Sequence, residues 1–521
     1  MESWEREAEN FLKNETEFHL GFLPSEARNP LTMSLDRDFR RSTADGVRTL
    51  LACDSALLPH FHEVLQRPEY AAMVQSIRRA RKVIVSGCGA TGRLAILLES
   101  AWNEAHPDDP HVLSIMTGGD FALVRSVENF EDYTEVGRKQ AAELGITAED
   151  VLIGITATGE TASIVGSALE ASERGASVFM LICVPRGLPP SRLERCRNLY
   201  SRPNVTVIDM QIGGMALTGS TRMQSSTIEL LAAASALEAA SGSAGIDYET
   251  AFADLLDSLN TPQSVAGMAE SIDFENEIYR HRGLIDYLAD DLLIDILSDT
   301  TERSPTFMIP PYKFLDDPDA AEPWAMLRDP GRTTPDIWKS CLKRAPRCIT
   351  WSRSDYEAAG LEVLLKKGVP KIDEEALYRI PLGGRVPGRE NACQVVFRNR
   401  PDGPLFIGCR AIGSKTEPTP LRLFEHLRMK LVMNIISTGT MVKFGRVKSN
   451  YMIHLSISNK KLIDRACRIV SELCNVSYEN ACRELFRVQS GPLGPDSSAV
   501  AETIRQLSPN VLVPFESNQN Q

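Results

Sequence analysis

The stretch Val83-Ile-Val-Ser-Gly-Cys-Gly-Ala-Thr-Gly-Arg-Leu-Ala-Ile-Leu-Leu-Glu99 limits what this chain can fold into more than any other. Three β-branched residues behind Arg81 and Lys82 predict a short buried parallel strand. Gly87, Gly89 and Gly92 then turn the chain, and Leu94 to Leu98 open an amphipathic helix. A strand, a glycine turn and a helix start leave backbone N–H groups free at one point, where they can hold an anion. The spacing Gly87-x-Gly89-x-x-Gly92 also fits a dinucleotide fingerprint. That reading needs an acidic residue about 20 residues on, after the next strand. Val112 to Met116 is such a strand and leads to Asp120, so the reading stays open. The hydroxyl of Thr91 suits a small phosphate monoester better. A turn that merely packs helix on strand is the remaining alternative.

Downstream, strands and helices alternate. Strands are expected at 112–116, 150–155, 177–184 and 204–208, with helices at 121–130 and 162–174. The repeated strand–helix–strand order implies an α/β fold with a doubly wound parallel sheet covered on both faces. Ligands of such sheets sit at the carboxyl ends of the strands. The turn Gly89-Ala90-Thr91-Gly92 and the turn Thr156-Ala-Thr158-Gly159 with Thr161 both lie there, and are expected to meet on one phosphate. The run Leu217 to Thr227, which holds Ser220 and Thr221, precedes a long apolar helix to Ala240. Its six hydroxyls exceed what capping requires and predict a third polar wall; a well-capped helix with solvated serines is the alternative.

Ser241 to Gly245 is small and polar and marks a boundary. A second α/β region is expected from about Gly283, with strands at 348–351, 394–397 and 405–408 and a helix over 421–437. The proline-rich stretch 303–346 reads as an ordered insertion, because it holds Phe307, Tyr312, Phe314 and Trp324. Arg222-Met and Arg428-Met, each near a long apolar helix, hint at a repeat of the two halves. Two short helices follow from Leu462 and Ser477, and the tail past Pro509 is expected to be disordered. The expected division is 1–60 helical, 61–245 first domain, 246–459 second domain, 460–508 helical cap and 509–521 tail.

Composition removes several function classes. The net charge of −12 argues against a general nucleic-acid binder. No apolar run approaches membrane-spanning length, and the N-terminus lacks a signal-peptide core. Eleven scattered cysteines without a Cys-x-x-Cys pair predict reduced thiols in a cytoplasm. His60 and His62 have metal-like spacing on a strand but no third ligand nearby, so no metal and no cofactor are expected.

Taken together, Gly87 to Leu97, Gly118-Gly-Asp120 with Val127-Glu-x-x-Glu-Asp132, Gly154 to Thr161, Leu217 to Met223 and Asn434 to Val447 with Asn450 and Ser458 to Leu462 resemble the sugar isomerase (SIS) domains of a known family. Its members are the bacterial N-acetylmuramic acid 6-phosphate etherases and the two-domain glucokinase regulatory proteins, whose layout this chain resembles more. The resemblance implies two SIS-type, flavodoxin-like domains with a small helical cap and a bound phosphosugar. It places phosphate at Thr91, Thr158 and Thr161 and sugar at Ser220 and Thr221, counts Gly89, Ala90, Thr156 and Gly159 with the substrate-binding residues, and completes the site with Glu302 and Lys461. It also implies a sensor or regulator that acts on a protein such as a sugar kinase, as a monomer of two pseudo-dimeric halves. The etherases use two carboxylates for proton transfer. Glu131 matches one of them; Ala101 stands at the other. Glu99, two residues earlier, is turned about 200° around the helix. Gln224 replaces a lysine. An etherase-type lyase with Glu131 as acid/base group is the alternative, and a sugar-phosphate isomerase a further one.

Overall fold

The computed structural model describes residues 2–127, 129–242, 245–457, 459–494 and 497–512. The expected tail therefore lies mostly outside the described residues, and so does part of the Ser241–Gly245 boundary.

The first sheet contains β1 (Val83–Gly87), β2 (Val112–Met116), β3 (Val151–Ile155), β4 (Ser177–Ile182) and β5 (Val205–Asp209). Its order is β2-β1-β3-β4-β5, and every pairing is parallel. β1 and β3 are buried along their whole length, which is why both read as unbroken apolar runs. The order changes direction at β1, so the carboxyl ends of β1 and β3 flank the crevice where ligands of such sheets bind. The helices α1 (Ala90–Ala105), α2 (Ala162–Glu173) and α3 (Gln224–Ala240) follow β1, β3 and β5.

The second sheet holds β6 (Ile285–Leu288), β7 (Ala325–Leu327), β8 (Cys393–Arg398), β9 (Leu405–Ile407) and β10 (Arg410–Ile412). Its order is β10-β9-β8-β6-β7. β7, β6 and β8 are parallel and repeat the arrangement of β2, β1 and β3. β9 and β10 are antiparallel, so the second sheet is mixed and only half doubly wound. The turn Gly408-Cys409 is too short for anything but a hairpin. α4 (Leu293–Phe307) follows β6, and α5 (Leu423–Lys443) runs through the middle of the molecule. Arg428 lies inside α5, whereas Arg222 precedes α3. The repeat is thus carried by the strand order and not by the two Arg-Met pairs.

Three expected elements differ. Residues 348–351 form no strand. Arg347 turns its carbonyl to the amide of Asp120 (3.1 Å), and Trp351 stacks on Phe130. The stretch is therefore spent on joining the halves. The segment 121–130 is not an α-helix. Among its described residues, 3-10 turns form at Asp120–Leu123 and from Phe130, while Arg344 and Arg347 hold the carboxylate of Asp120. Asp120 is buried in that grip, which removes the acidic group that a dinucleotide ribose needs. His60 and His62 sit on the helix Leu58–Gln66, and His62 pairs with Glu249 at 2.7 Å.

The cap is built from α6 (Lys460–Cys474), α7 (Tyr478–Gln489) and α8 (Ala499–Leu507). Ser477 caps α7 by accepting from the amide of Asn480. Ala8 and Phe11, on the helix Ser3–Asn14, pack into the cap's core with Ala481, Cys482 and Leu485. The helix Thr43–Ser55 instead joins the central core, so the first 60 residues serve two different bodies.

Candidate functional site

β1 is followed by Cys88 and Gly89, and α1 begins at Ala90. Gly89 has φ +56°, and nothing lies within 4 Å of where a Cβ would stand. That position needs glycine for its backbone and for the open space beside it. The space is part of a cavity of about 290 Å³.

Gly89 and Ala90 form one side of this cavity, Glu131 and Thr117 a second, and Ser220 and Thr221 a third. Glu302, from α4 of the second half, and Lys461, from α6 of the cap, close it. Five separated stretches of sequence thus meet at the carboxyl edge of the first sheet. Gly219, at φ +74°, lets the cap lie close: a Cβ there would stand 2.5 Å from Arg465 Nε. Arg465 is in turn fixed by Glu26 at 2.6 Å.

Glu131 is held from two directions. Asn459 of the cap donates to Oε1 at 2.9 Å, and the Cys88 thiol lies 3.9 Å from Oε2. Burial, with Glu131 second, pushes the Cys88 thiol up to about 12, so it stays protonated and donates. Burial likewise lifts Asp132 to about 6, assisted by Glu131 and Glu160. Glu302 is raised by burial, against the pull of Arg93 and Arg222. The cavity therefore combines free helix-start amides, hydroxyls, a lysine and two carboxylates in different environments.

The threonines behave otherwise than expected. Thr91 Oγ1 accepts from the Cys88 amide and donates to the Cys88 carbonyl, both at 3.0 Å, and so closes the turn. Thr158 donates to Glu160, which Arg195 pins, and Thr156 bonds Thr161 at 3.1 Å. The Gly159 carbonyl accepts from Tyr200. Thr91, Thr156, Thr158, Gly159 and Thr161 are not in the wall of the cavity, and their polar groups are taken up by Cys88, Glu160, Tyr200 and, between Thr156 and Thr161, each other. The second turn lies one layer behind: Ser163, at the start of α2, bonds Thr117 at 2.8 Å, and Thr117 faces the cavity. Of the hydroxyls ahead of and inside α3, Ser226 and Thr227 bond back to their own helix. Only Ser220 and Thr221 reach the cavity.

Glu99 points into the protein, where Ser114, Arg344 and Arg347 bind it. Those two guanidinium groups outweigh its burial and lower its pKa. α1 runs unbroken past it to Ala105, so the helix register does not bring Glu99 to the place of Ala101. Gln224 donates to Asp54 and accepts from the Ala216 amide, each at 2.8 Å. Arg93 and Asn459 also line the cavity and were not singled out from the sequence. Asn459 carried a visible signal, since it caps α6 through the Leu462 amide. No group of three metal-ligating side chains is found among the described residues, and no helix there is long and apolar enough to cross a membrane.

Comparison with known proteins agrees with this architecture. Residues 68–173 match the glucokinase regulatory protein N-terminal SIS domain, and residues 449–506 match the C-terminal lid domain of glucokinase regulatory protein. An N-acetylmuramic acid 6-phosphate etherase of Mesorhizobium japonicum is 32% identical over 218 residues, which are 41% of this chain and 66% of the relative. The Yersinia pestis etherase is 31% identical over 227 residues, 41% of this chain and 68% of the relative. The chain thus spans about two thirds of the length of these relatives. Among solved structures, the tagatose-6-phosphate ketose/aldose isomerase of Escherichia coli aligns at 12% identity and TM-score 0.38, over 77% of this chain and 95% of that one. The C-terminal domain of the Francisella tularensis glucosamine-fructose-6-phosphate aminotransferase aligns at 7% identity and TM-score 0.40, over 76% and 95%. With one domain matching at each end of the site and an etherase relative 31% identical over 68% of its own length, the chain belongs to the SIS-domain family of the N-acetylmuramic acid 6-phosphate etherases and glucokinase regulatory proteins.

Proposed function

We propose that this protein binds a phosphosugar in the 290 Å³ cavity and acts as a sensor or regulator of sugar-phosphate or amino-sugar-phosphate metabolism. One observation carries the reading: helix-start amides at Gly89 and Ala90 meet Ser220, Thr221, Glu302 and Lys461 in one enclosed space. The amides and the positive end of α1 take the phosphate. The hydroxyls and Glu302 take the sugar's hydroxyl groups, and Lys461 adds charge from the cap. Thr91 and Thr158 join the phosphate only after giving up their internal bonds.

The family's etherases remove a proton and protonate a leaving oxygen. Here Ala101 can do neither, and Glu99 is locked in ion pairs. Loss of one proton-transfer group costs about 10²- to 10⁴-fold in rate. Binding survives such a loss. A protein that binds and does not turn over is suited to report ligand level to a partner such as a sugar kinase, and the two halves in one chain allow it to do so as a monomer in the cytoplasm.

One feature favours a second, lyase-type reading. Glu131 and Glu302 share the cavity, and burial raises the pKa of Glu302, which suits that carboxyl to donating a proton. Calorimetric titration with fructose 6-phosphate and with fructose tests binding. We expect heat with the ester alone, and at least about tenfold weaker binding in Lys461→Ala. Equal binding of unphosphorylated fructose refutes the site. Lactate released from N-acetylmuramic acid 6-phosphate, and lost in Glu131→Gln, replaces the sensor by the lyase.

A further inference from the structure

Beside the phosphosugar cavity lies a much larger cleft of about 1350 Å³ that the proposed function does not use. We propose that this cleft is a second ligand site, for a small molecule that carries a polyphosphate.

Charge is the first argument. In a chain with 69 acidic and 57 basic residues, eight Lys and Arg side chains and one carboxylate, Glu322, line the cleft. Glu322 is already paired with Lys313. Of the cations, Lys448 pairs with Asp36 and Arg505 with Glu502, each at 3.1 Å. Arg93, Arg125, Arg280 and Arg282 form no ion pair among the described residues. Arg125 lies over the Phe314 ring, and Arg280 donates to the Lys443 carbonyl. A concave surface of one sign concentrates the field and draws anions in.

Burial is the second argument. Arg93 is 7% exposed, and its guanidinium donates to the Leu123 carbonyl and to Thr301 without meeting a carboxylate. Burial lowers its pKa, with Glu302 the nearest opposing influence. A buried cation that no carboxylate touches directly is expensive, and a bound anion lowers the cost. Arg93, Ser126 and Pro305 line both the cleft and the phosphosugar cavity, so the two spaces share a wall.

Size and floor narrow the class. Small-ligand pockets usually measure about 300–1,000 Å³, so the cleft is roomier than a monophosphate needs. Trp324 and Phe444, edge to face at 5.0 Å, give it an aromatic floor below the arginines. Arginine forks bind pairs of anionic oxygens, and a chain of phosphates presents several such pairs in a row to the several guanidinium groups of the wall. A nucleoside triphosphate and free polyphosphate share this chemistry.

The test is calorimetric titration of the full chain with sodium tripolyphosphate, ATP and hexaglutamate, without divalent cations, at low and at physiological salt. We expect both phosphates to bind at low salt. We expect affinity to fall at least about tenfold in Arg125→Glu/Arg282→Glu while fructose 6-phosphate binding changes less than about twofold. Arg282→Ala alone, at an exposed position, serves if the double variant does not fold. ATP binding that exceeds tripolyphosphate and drops in Trp324→Ala supports the site and names a nucleotide. Equal binding supports it and names free polyphosphate. No binding of either phosphate to the wild-type chain, binding unchanged by the substitutions, or hexaglutamate binding as tightly as tripolyphosphate overturns the proposal. None of these outcomes depends on whether fructose 6-phosphate binds.

Discussion

β1 and β6 occupy the same place in their sheets, each between two parallel neighbours, and each runs into a helix. The chain enters α1 through Gly89 at φ +56° and enters α4 through Leu292 at φ +51°. The backbone device is the same and the surroundings are opposite. Beyond Gly89 there is empty space. Around Leu292 the protein has filled the corner itself: Arg422 bonds Asp291 at 3.0 Å and Glu425 at 2.9 Å, Asn399 donates to Asp291 at 3.2 Å, and Leu292 is buried. There the chain's own Asp291 carboxylate, held by Arg422, accepts from the Leu292 amide at 2.8 Å, as a ligand's phosphate is expected to do at the other helix start. A sheet edge can therefore keep its topology and give up its ligand. What the second half contributes instead is α4, which carries Glu302 across to the first half's cavity.

If the second half is scaffold, its buried charges should matter for folding more than for binding. Arg303 is fully buried between Asp299 at 2.7 Å and Glu275 at 3.0 Å. Arg303→Ala leaves Glu275 without its cation and Asp299 with Arg222 alone, and is expected to cost about 3–5 kcal/mol by urea unfolding. A loss below about 1 kcal/mol breaks the scaffold argument.

The two entrances give the sharpest pair. Leu292→Ala is expected to destabilise by about 2–4 kcal/mol and to leave fructose 6-phosphate affinity unchanged. Gly89→Ala adds a Cβ into open space at a left-handed backbone. We expect about 1–2 kcal/mol of strain with at least about tenfold weaker binding. Equal effects of both substitutions on affinity erase the distinction.

A pH-dependent effect lies at the seam, where Gln224 of the first half bonds Asp54 and the charge of Lys430 on α5 also acts on it. Burial lifts Asp54 to about 6. Its value in an unfolded chain is about 3.9. Ionising it therefore opposes folding: stability drops as pH rises from about 4 to about 6 and the deficit then stays, at up to about 3 kcal/mol. Asp54→Asn should exceed the wild type in urea stability at pH 7.5 and match it at pH 4. Equal pH profiles refute the assignment.

The first sheet was legible because its strands are apolar runs that end at glycine or hydroxyl turns. The second was legible only in part. Val395 and Phe397 of β8 are buried and alternate with the less buried Gln394, Val396 and Arg398, but nothing local reveals that β9 and β10 reverse direction. Residues 348–351 have strand composition, but Asp120 holds Arg347 just ahead of them and Phe130 takes Trp351, both from another part of the chain. In the site, glycine spacing located the α1 turn. The hydroxyls of the β3 turn were overvalued, since a sequence does not show that Thr158 has Glu160 beside it. Glu302 and Lys461 came only from the family resemblance. Arg93 stands in a helix start where an arginine looks solvated, and its burial is a property of three packed segments.

The bond between Asn459 and Glu131 has a consequence for the extremities of the polypeptide. The cap that supplies Asn459 and Lys461 also grips the opening helix, Ser3–Asn14. Seating the cap on an occupied cavity fastens the beginning and the end of the chain in a single act. Protection of the N-terminal amides from hydrogen exchange then becomes a gauge of occupancy, read far from the sugar.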